Sequence, residues 1–199
     1  MNTAAVILAA GASTRLGQPK QLVCIDGESL LARTVRVAFE SGVEEVFVVL
    51  GSLAPALREH LQQGTRCEIV DNPDWQQGMS TSIRAGVRAA LAHTPPPDAV
   101  LLLACDQPAV TPMHLVQLQL ASDEEPPRIA ASTYAGRTGI PAIFPRQYWN
   151  ELLALTGDAG ARQLLNAHPA EVETVALEHG ELDLDTPESL AEIHRLWPA

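Results

Sequence analysis

A loop rich in small and cationic residues follows the first apolar run of the chain. The stretch VILAAGASTRLGQPKQLVCIDG, residues 6–27, passes from hydrophobic residues into glycines and then reaches Arg15 and Lys20. Small side chains at positions 9–12 let backbone N–H groups approach an anion closely. Arginine can bind phosphate oxygens as a bidentate fork, and lysine can bind them as a point charge. The stretch therefore predicts a phosphate-binding loop. The alternative is a tight strand-to-helix turn with two solvated cations.

Two familiar phosphate-binding motifs do not describe this loop. The P-loop needs its lysine directly after the second glycine and before Ser or Thr, whereas two residues separate Gly17 from Lys20. The dinucleotide fingerprint Gly-x-Gly-x-x-Gly also fails, because Gly11 is followed by Ala-Ser-Thr. The anion site predicted here must be of another kind.

A carboxylate stands at the end of the most hydrophobic run, AVLLLACDQP at residues 99–108. Asp106 is well placed to hold a divalent cation, because Mg²⁺ prefers oxygen ligands and takes one or two carboxylates plus substrate phosphates. An aspartate that caps a helix or bonds to a loop is the alternative. Its neighbour Cys105 is interpreted as a small buried hydrophobe.

The stretch NPDWQQGMSTSIRAG, residues 72–86, combines a turn signal with a run of hydroxyl residues. One of the hydroxyls at positions 80–82 is predicted to cap the following helix. The N-terminus of that helix could offer amides to an anion or a base edge, and the alternative is a capped helix without a ligand. Arg84 in the first turn opposes the helix dipole, which suggests a functional cation.

A second acidic stretch, DLDTPESL at residues 183–190, lies near the end of the chain. Thr-Pro is a favourable helix start, so Asp185 or Thr186 is predicted to act as a cap. A second metal ligand in this stretch stays open, because composition alone does not reveal one. The six histidines have no metal-ligand spacing and are interpreted as surface or core residues.

The chain alternates short apolar runs with longer stretches of helical periodicity. The predicted strands are 4–10, 46–51, 66–70, 99–108, a hairpin of 128–133 and 140–144 around Gly136, and 171–177. The predicted helices are 29–42, 54–64, 82–93, 112–121, 146–155, 159–168 and 187–197. The βαβα order predicts a mainly parallel sheet with helices on both faces. Ligands of such sheets lie beyond the carboxyl ends of the strands, so residues 10–21, 51–53, 71–82 and Asp106 should converge.

Composition narrows the function classes. The chain has 199 residues, of which 46% are hydrophobic and 19% charged, and a formal net charge of −11. So acidic a chain lacks the cationic field that nucleic acids and anionic membranes require, although local cations and a metal can still bind a small anion. We therefore expect neither a nucleic acid nor a membrane as a partner.

Cysteine use and hydropathy favour a cytoplasmic protein. Cys24, Cys67 and Cys105 are odd in number and include no C-x-x-C pair, which disfavours a disulfide framework or a zinc cluster. No apolar run approaches the roughly 18 residues that a membrane span needs. The N-terminal MNTAAVILAAG also lacks the basic region of a signal peptide.

Motifs along nearly the whole chain resemble those of one enzyme group. LAAGASTRLGQPK, residues 8–20, resembles the L-A-(A/G)-G-x-S-x-R-(M/F/L)-G-x-x-K signature of nucleotidyltransferases with a glycosyltransferase-A-like fold. The later stretches NPDWQQGMSTSIRAG, LLLACDQP, GIPAIF, LTGDAGARQLL and LDLDTPESL are similar to the molybdenum cofactor cytidylyltransferase branch of the MobA-like NTP transferases. The resemblance implies an α/β, Rossmann-like, three-layer α/β/α fold with a mainly parallel sheet and a small antiparallel portion. It also implies that residues 1–199 form a single nucleotidyltransferase domain.

The resemblance assigns roles to individual residues. It implies that Arg15, Lys20 and Asp106 are catalytic, and that Asp106 and Asp185 coordinate Mg²⁺. It implies that the acceptor is bound by Gly157, Asp158 and Arg162. It implies that the nucleotide is bound by Leu8, Ala9, Ala10, Gly11, Ala12, Ser13, Arg15, Lys20, Gly78, Ser80 and Ser82.

The implied reaction joins CMP from CTP to the terminal phosphate of molybdopterin and releases pyrophosphate. Ala10, in the double-alanine form Leu-Ala-Ala-Gly, favours CTP over GTP by the same resemblance, whereas Ile140 replaces the Asn or His expected before the proline of GIPAIF. A molybdoenzyme or its maturation factor is a further implied partner. Two alternatives stay open: a sugar-1-phosphate or other small-phosphate nucleotidyltransferase, and a non-catalytic module of cofactor maturation.

Overall fold

The structure is a computed structural model that describes residues 1–62 and 66–197. Its strands are β1 (Thr3–Ala9), β2 (Cys24–Ile25), β3 (Glu28–Ser29), β4 (Val46–Leu50), β5 (Glu68–Asp71), β6 (Ala99–Ala104), β7 (Ile129–Tyr134), β8 (Arg137–Pro145) and β9 (Val172–Ala176). Its α-helices are α1 (Leu30–Glu40), α2 (Ala54–Gln62), α3 (Met79–Ala92), α4 (Pro112–Ser122), α5 (Trp149–Ala154), α6 (Arg162–Ala167) and α7 (Pro187–Leu196).

One sheet of seven strands organises the described part of the chain, in the order β5-β4-β1-β6-β8-β7-β9. The pairs β1–β4, β1–β6, β4–β5 and β7–β9 are parallel, whereas β8 runs antiparallel to β6 and β7. β2 and β3 form a separate two-stranded antiparallel ribbon. The fold class expected from the sequence is therefore confirmed, including the small antiparallel portion.

Helices cover both faces of the sheet because alternate residues of each central strand point to opposite sides. Ile7 of β1 packs in a cluster with Leu31 of α1 and Leu115 of α4, to which α2 also contributes. The neighbouring Val6 packs on the other face with Ile83 of α3, and α5 and α6 complete that layer. The apolar run of β1 thus supplies both cores at once. Within residues 1–62 and 66–197, the structure contains no helix with the length and hydropathy of a membrane span.

A third, smaller apolar cluster joins the loop after β1 to the C-terminal region. Leu16 in that loop and Ile25 of β2 pack with Leu30 of α1, Leu184 and Ile193 of α7. Leu184 is completely buried, and Ile193 is as well. The cluster therefore fixes two segments that carry charged residues next to their buried leucines.

Several element boundaries differ from the sequence expectations. α3 begins at Met79 rather than at residue 82, and its N-cap is Gly78, so the prediction of a hydroxyl cap at 80–82 was wrong. The hydroxyl residues lie inside the first turn, because the preceding 3₁₀ turn Trp75–Gln77 brings the chain into the helix early. The ribbon of β2 and β3 was not predicted. The predicted end of the second helix, residues 63–64, lies outside the described residues.

Other local predictions are confirmed. Thr186 caps α7 in a reciprocal capping box with Ser189, as its Thr-Pro start indicated. Pro112 stands in the first turn of α4, where its missing N–H has no intrahelical partner to lose. The hairpin around Gly136 is formed by β7 and β8.

A buried histidine links α4 to the hairpin. Ser132 Oγ donates to the carbonyl of Pro141 at 2.7 Å, so its single proton is used. Nε2 of His114 then donates to Ser132 Oγ, at 2.7 Å, from a neutral ring. Burial lowers the pKa of His114 below its usual value, because an imidazolium there would lose its hydration.

We expect His114 to make the free energy of unfolding depend on pH. The contribution of the neutral His114 ring to stability is complete above about pH 6.5, the usual pKa of histidine in an unfolded chain. It declines as the pH falls below that value, because the unfolded chain then binds a proton that the buried ring does not. In His114→Gln, which keeps a terminal N–H but does not titrate, this part of the pH dependence should vanish. Urea unfolding of both proteins from neutral pH to about pH 5 measures it. Parallel curves would contradict the assignment.

Candidate active site

The loop after β1 is shaped from within by a buried glutamine. The Gln21 side chain is completely buried, and its amide donates to the carbonyls of Ala9 at 3.1 Å and Gly11 at 2.9 Å. Ser13 adopts a positive φ of 54° and accepts a bond from the backbone N–H of Lys20 at 3.1 Å. These bonds turn the carbonyls inward, and within the described residues the N–H of Gly11 has no acceptor. The loop thereby presents N–H groups of the kind that form anion-binding nests.

A single ammonium group joins two carboxylates from distant parts of the chain. Lys20 Nζ donates to Asp106 Oδ2 at 2.5 Å and to Asp185 Oδ1 at 2.8 Å. Arg15 reaches the other oxygen of Asp185, with Nη2 at 2.7 Å from Oδ2. The Lys20 and Asp106 side chains are only 15% and 14% exposed, whereas that of Arg15 is 72% exposed. The Lys20–Asp106 contact is therefore poorly screened by solvent, and the Arg15 contact is well screened.

Backbone and apolar contacts hold these charged groups close to one another. The N–H of Leu184 donates to the carbonyl of Asp106 at 3.0 Å, which ties the segment before α7 to the end of β6. Leu184 and Leu16 belong to the third apolar cluster, and they flank Asp185 and Arg15 in sequence. Burial of the two leucines thus determines where both of the charged side chains emerge.

The charged groups line a cavity of about 510 Å³ at the carboxyl ends of β1 and β6. Of the residues that sequence resemblance singled out, the wall includes Arg15, Lys20, Asp106, Asp185 and Arg162. A cavity of this size can enclose a drug-sized ligand. Of the segments that the strand-end rule selected, residues 10–21, 71–82 and Asp106 contribute to this wall, whereas 51–53 are not among its lining residues. Asp185, from the other end of the chain, joins them although the rule did not name it.

Other predicted site residues lie beside the cavity rather than on its described wall. Residues 8–13 form the end of β1 and the loop behind Lys20. Ser80 and Ser82 are buried in the first turn of α3, where Ser82 Oγ accepts from Asn72 Nδ2 at 3.0 Å. The Ser80 hydroxyl is buried without a hydrogen-bond partner in the described structure.

The start of α3 is packed directly against the segment that precedes α6. Gly78 has a φ of 111°, and a Cβ there would come within 2.3 Å of the carbonyl oxygen of Gly157 and 2.7 Å of the nitrogen of Asp158. The N–H of Ser80 donates to that same Gly157 oxygen at 3.2 Å. Arg84 Nη1 donates to the carbonyl of Leu155 at 2.5 Å, so this cation supports the segment rather than facing the cavity. The predicted nucleotide and acceptor segments are thus in direct contact.

Five further polar residues line the cavity but had no role in the sequence interpretation: Gln107, Tyr134, Arg137, Thr138 and Asp183. Asp183 and Gln107 stood within quoted motifs, each within two residues of a residue that was singled out. Their signal was therefore proximity in sequence to Asp106 and to Asp185. Tyr134 and Arg137 come from the hairpin, and only the antiparallel pairing of β8 with β6 brings them to this edge.

The electrostatic balance of the cavity follows from burial and pairing. Burial and the nearby carboxylates of Asp106 and Asp185 raise the pKa of Asp183 to about 7. Burial acts against the charge of Lys20, but Asp106 and Asp185 outweigh it and raise the pKa of the ammonium. Burial also acts against the Asp185 carboxylate, yet its bonds to Lys20 and Arg15 lower its pKa. Lys20 and Asp185 are therefore charged at neutral pH.

The donor set suits a hard divalent cation that shares its coordination with substrate. Asp106 and Asp185 offer carboxylate oxygens close to one point, where Lys20 now bonds to both. Among the described residues, no group of three or more His, Cys, Asp or Glu side chains is arranged as a complete metal cage. Two carboxylates completed by phosphate oxygens and water are what Mg²⁺ commonly takes, so the residues fit such an ion.

A larger cavity, of about 770 Å³, lies beside α1 and includes no strand-end loop. It is lined by apolar residues such as Val35 and Phe39 and by two arginines. Arg66 lies over the ring of Phe39. Arg36 is paired with Glu28 at 2.8 Å and Glu40 at 2.9 Å. The main charged group of this cavity is therefore already occupied by two carboxylates. The smaller cavity, which combines carboxylates with several cations, is the one equipped for chemistry.

Residues 5–172 match the MobA-like NTP transferase domain, and the chain therefore belongs to this family of nucleotidyltransferases. Nicotine blue oxidoreductase of Paenarthrobacter nicotinovorans is 33% identical over 199 residues, which cover 93% of each chain. The purine catabolism protein PucB of Bacillus subtilis is 31% identical over 201 residues, covering 96% of this chain and 95% of PucB. Full-length relatives of this family thus carry names from different branches of metabolism.

Solved structures and shorter matches extend the comparison. The crystal structure of Rv0371c from Mycobacterium tuberculosis superposes with a TM-score of 0.80 at 30% identity, covering 96% of both chains. A manganese complex of the same protein gives a TM-score of 0.75 at 29% identity, covering 97% of this chain and 98% of that one. The molybdenum cofactor cytidylyltransferase of Escherichia coli is 31% identical over 84 residues, 42% of this chain and 43% of that protein.

We expect Leu184→Ala to lower the free energy of unfolding by about 2–5 kcal/mol, because it opens a void in a fully buried cluster. The same variant should lose activity, since its segment carries Asp183 and Asp185. Urea unfolding measures the stability change. Leu120→Ala is the matched control, because Leu120 is 71% exposed, and its effect should stay within about 0.5 kcal/mol. Equal losses in the two variants would show that the cluster does not hold this segment.

Proposed function

We propose that this nucleotidyltransferase transfers CMP from CTP to the terminal phosphate of molybdopterin and releases pyrophosphate, in a Mg²⁺-dependent reaction. The proposal takes residues 1–199 as one catalytic domain that acts in the cytoplasm. The observation that carries it is the cluster of Lys20, Asp106 and Asp185 beside the unbonded N–H groups of the first loop. Such a cluster combines anion-binding donors with cation-binding oxygens, and a nucleoside triphosphate with its metal needs both.

The residues of the chain divide the work between the phosphates and the ion. The backbone N–H groups at 10–12, with Arg15 and Lys20, bind the triphosphate oxygens. Asp106 and Asp185 would hold Mg²⁺, which neutralises charge on the triphosphate and on the departing pyrophosphate. Lys20 keeps the two carboxylates together before the nucleotide arrives, and its ammonium can then turn one of its three donors to a phosphate oxygen.

The transfer itself is an in-line displacement at the α-phosphorus. An oxygen of the acceptor phosphate forms the new P–O bond, and the bond from the α-phosphorus to the bridging oxygen of the β-phosphate breaks. An ionised phosphate is already a nucleophile at neutral pH, so no side chain is needed as a general base. The protein contributes alignment and charge cancellation, which account for most of the catalysis in phosphoryl and nucleotidyl transfer.

The choice of base and acceptor rests on sequence resemblance and on named relatives. The double alanine at 9–10 favours CTP, and the Escherichia coli relative is by name a molybdenum cofactor cytidylyltransferase. Gly78, Ser80 and Ser82 are proposed to lie near the nucleotide. Gly157, Asp158 and Arg162 are proposed to serve the acceptor, and the direct contact between Gly78 and Gly157 would then join the two subsites.

We expect Lys20→Ala and Asp106→Ala each to slow pyrophosphate release by about 100-fold or more, because each removes charge stabilisation at the triphosphate. The reaction is measured with CTP, Mg²⁺ and molybdopterin by a coupled pyrophosphate assay. Asp123→Asn is the matched control, since the Asp123 side chain is exposed and bonds only to the N-terminal ammonium in the described structure, at 3.2 Å. Thermal unfolding checks that every variant is folded. Retained turnover in both alanine variants would overturn the assignments.

A panel of four nucleoside triphosphates and several acceptors separates this function from its rivals. Turnover with CTP and molybdopterin supports the proposal, whereas turnover only with a sugar phosphate or another small phosphate would favour a different transferase. Tight binding of nucleotide or cofactor without any turnover would favour a non-catalytic module that delivers the cofactor to a molybdoenzyme or its maturation factor. If the protein is either kind of transferase, removal of Mg²⁺ with a chelator should abolish turnover.

A further inference from the structure

The cations of the cavity fall into two groups that differ in how they are neutralised. Lys20 and Arg15 are bonded to Asp106 and Asp185. Arg137 and Arg162 also line the cavity, but the side chain of neither has an ion pair or a hydrogen bond within the described residues. In a chain with a net charge of −11, two unpaired guanidinium groups in one cavity are available to an incoming anion.

Arg137 stands at the start of β8, directly after the turn of the hairpin, and that hairpin is anchored to the cavity wall. The hydroxyl of Tyr134 donates to the carbonyl of Ile140 at 3.0 Å. Its ring fits where two glycines lack side chains: a Cβ on Gly139 would lie 2.6 Å from the hydroxyl, and one on Gly180 would lie 2.7 Å from the ring. The hairpin is therefore fixed at its base, and Arg137 extends from a rigid support.

Gln107 strengthens the same anchor from the side of β6. Its buried amide donates to the carbonyls of Ile140 and Gly180, each at 3.3 Å. Ile140 thus receives bonds from both the hairpin's own tyrosine and the residue that follows Asp106. The position of Arg137 relative to Asp106 is consequently set by hydrogen bonds rather than by solvent-exposed loops.

Arg162 extends into the cavity from the start of α6, and its segment is fixed from the opposite direction. Arg84 bonds to the carbonyl of Leu155, and the N–H of Ser80 bonds to the carbonyl of Gly157. The two unpaired arginines are therefore carried by different anchored elements that face one hollow. A guanidinium presents a planar pair of donors that matches the oxygens of a phosphate, and two of them match its double charge.

We propose that Arg137 and Arg162 form a clamp for the phosphate monoester of the acceptor, separate from the groups that bind the triphosphate. This inference rests on the proposed function and adds Arg137 as an acceptor-binding residue. The clamp neutralises the attacking phosphate dianion, so that it can approach a triphosphate that is itself anionic. The β7–β8 hairpin thereby contributes to recognition of the acceptor through Arg137.

The kinetic test compares Arg137→Gln with the wild-type enzyme and with Arg195→Gln. Arg195 is an exposed arginine of α7 that bonds only to the carbonyl of Ala191 in the described structure, so Arg195→Gln is a matched control. We expect Arg137→Gln to raise the KM for molybdopterin at least tenfold at saturating CTP, with the KM for CTP within twofold of wild type. Arg137→Lys should recover part of the loss, because it restores charge without the planar fork.

A binding experiment tests the clamp without assuming which acceptor the enzyme uses. Inorganic phosphate is titrated calorimetrically into wild-type protein and into both Gln variants, with no turnover required. Weaker phosphate binding in Arg137→Gln, with wild-type binding in Arg195→Gln, supports the clamp even if molybdopterin is not a substrate, in which case the proposed function fails alone. Unchanged phosphate affinity together with unchanged acceptor KM overturns the clamp. Absence of phosphate binding by the wild-type protein at tens of millimolar also counts against it.

Discussion

The arrangement of the site depends on one shared ammonium group. Lys20 lies near the start of the chain and Asp185 near its end, 165 positions apart, yet both meet Asp106 at the tip of β6. The largely buried ammonium is stable because two carboxylates compensate the cost of its desolvation, and removal of Lys20 would leave the Asp106 carboxylate without its cation in a partly desolvated place. The third apolar cluster and the bond from Leu184 to Asp106 bring the three groups close enough for this compensation.

Around that centre the fold separates two tasks. The parallel half of the sheet contains the neighbouring strands β1 and β6, which supply the loop of N–H groups and the carboxylate at the strand end. The antiparallel half supplies the hairpin with Tyr134 and Arg137, and the segment after it supplies Arg162. The family match covers residues 5–172 and ends before Asp185, so one of the carboxylates bonded to Lys20 lies in the portion beyond the matched domain.

Much of the architecture could be predicted from local pattern alone. The apolar run of β1 and the position of Asp106 after β6 were enough to predict that the first loop and Asp106 lie at one edge, because parallel strands all end at the same edge. The sequence could not reveal that Gly78, rather than a hydroxyl residue at 80–82, caps α3. The conformation of Gly78 at the start of this helix depends on its close contact with Gly157, which is distant in sequence. The roles of Gln107 and Tyr134 were also beyond reach, because they arise from long-range bonds to Ile140 that no sequence spacing reveals.

Gln21 gives the first loop its polarity without being available to any ligand. Its amide engages the oxygens of Ala9 and Gly11 from the protein interior, so the peptide dipoles there point their positive ends outward. Exchange of this hidden residue for an aliphatic one would free those oxygens to rotate towards the cleft. Under the proposed function, the loop would then repel the triphosphate, and affinity would be lost through a side chain that is completely buried.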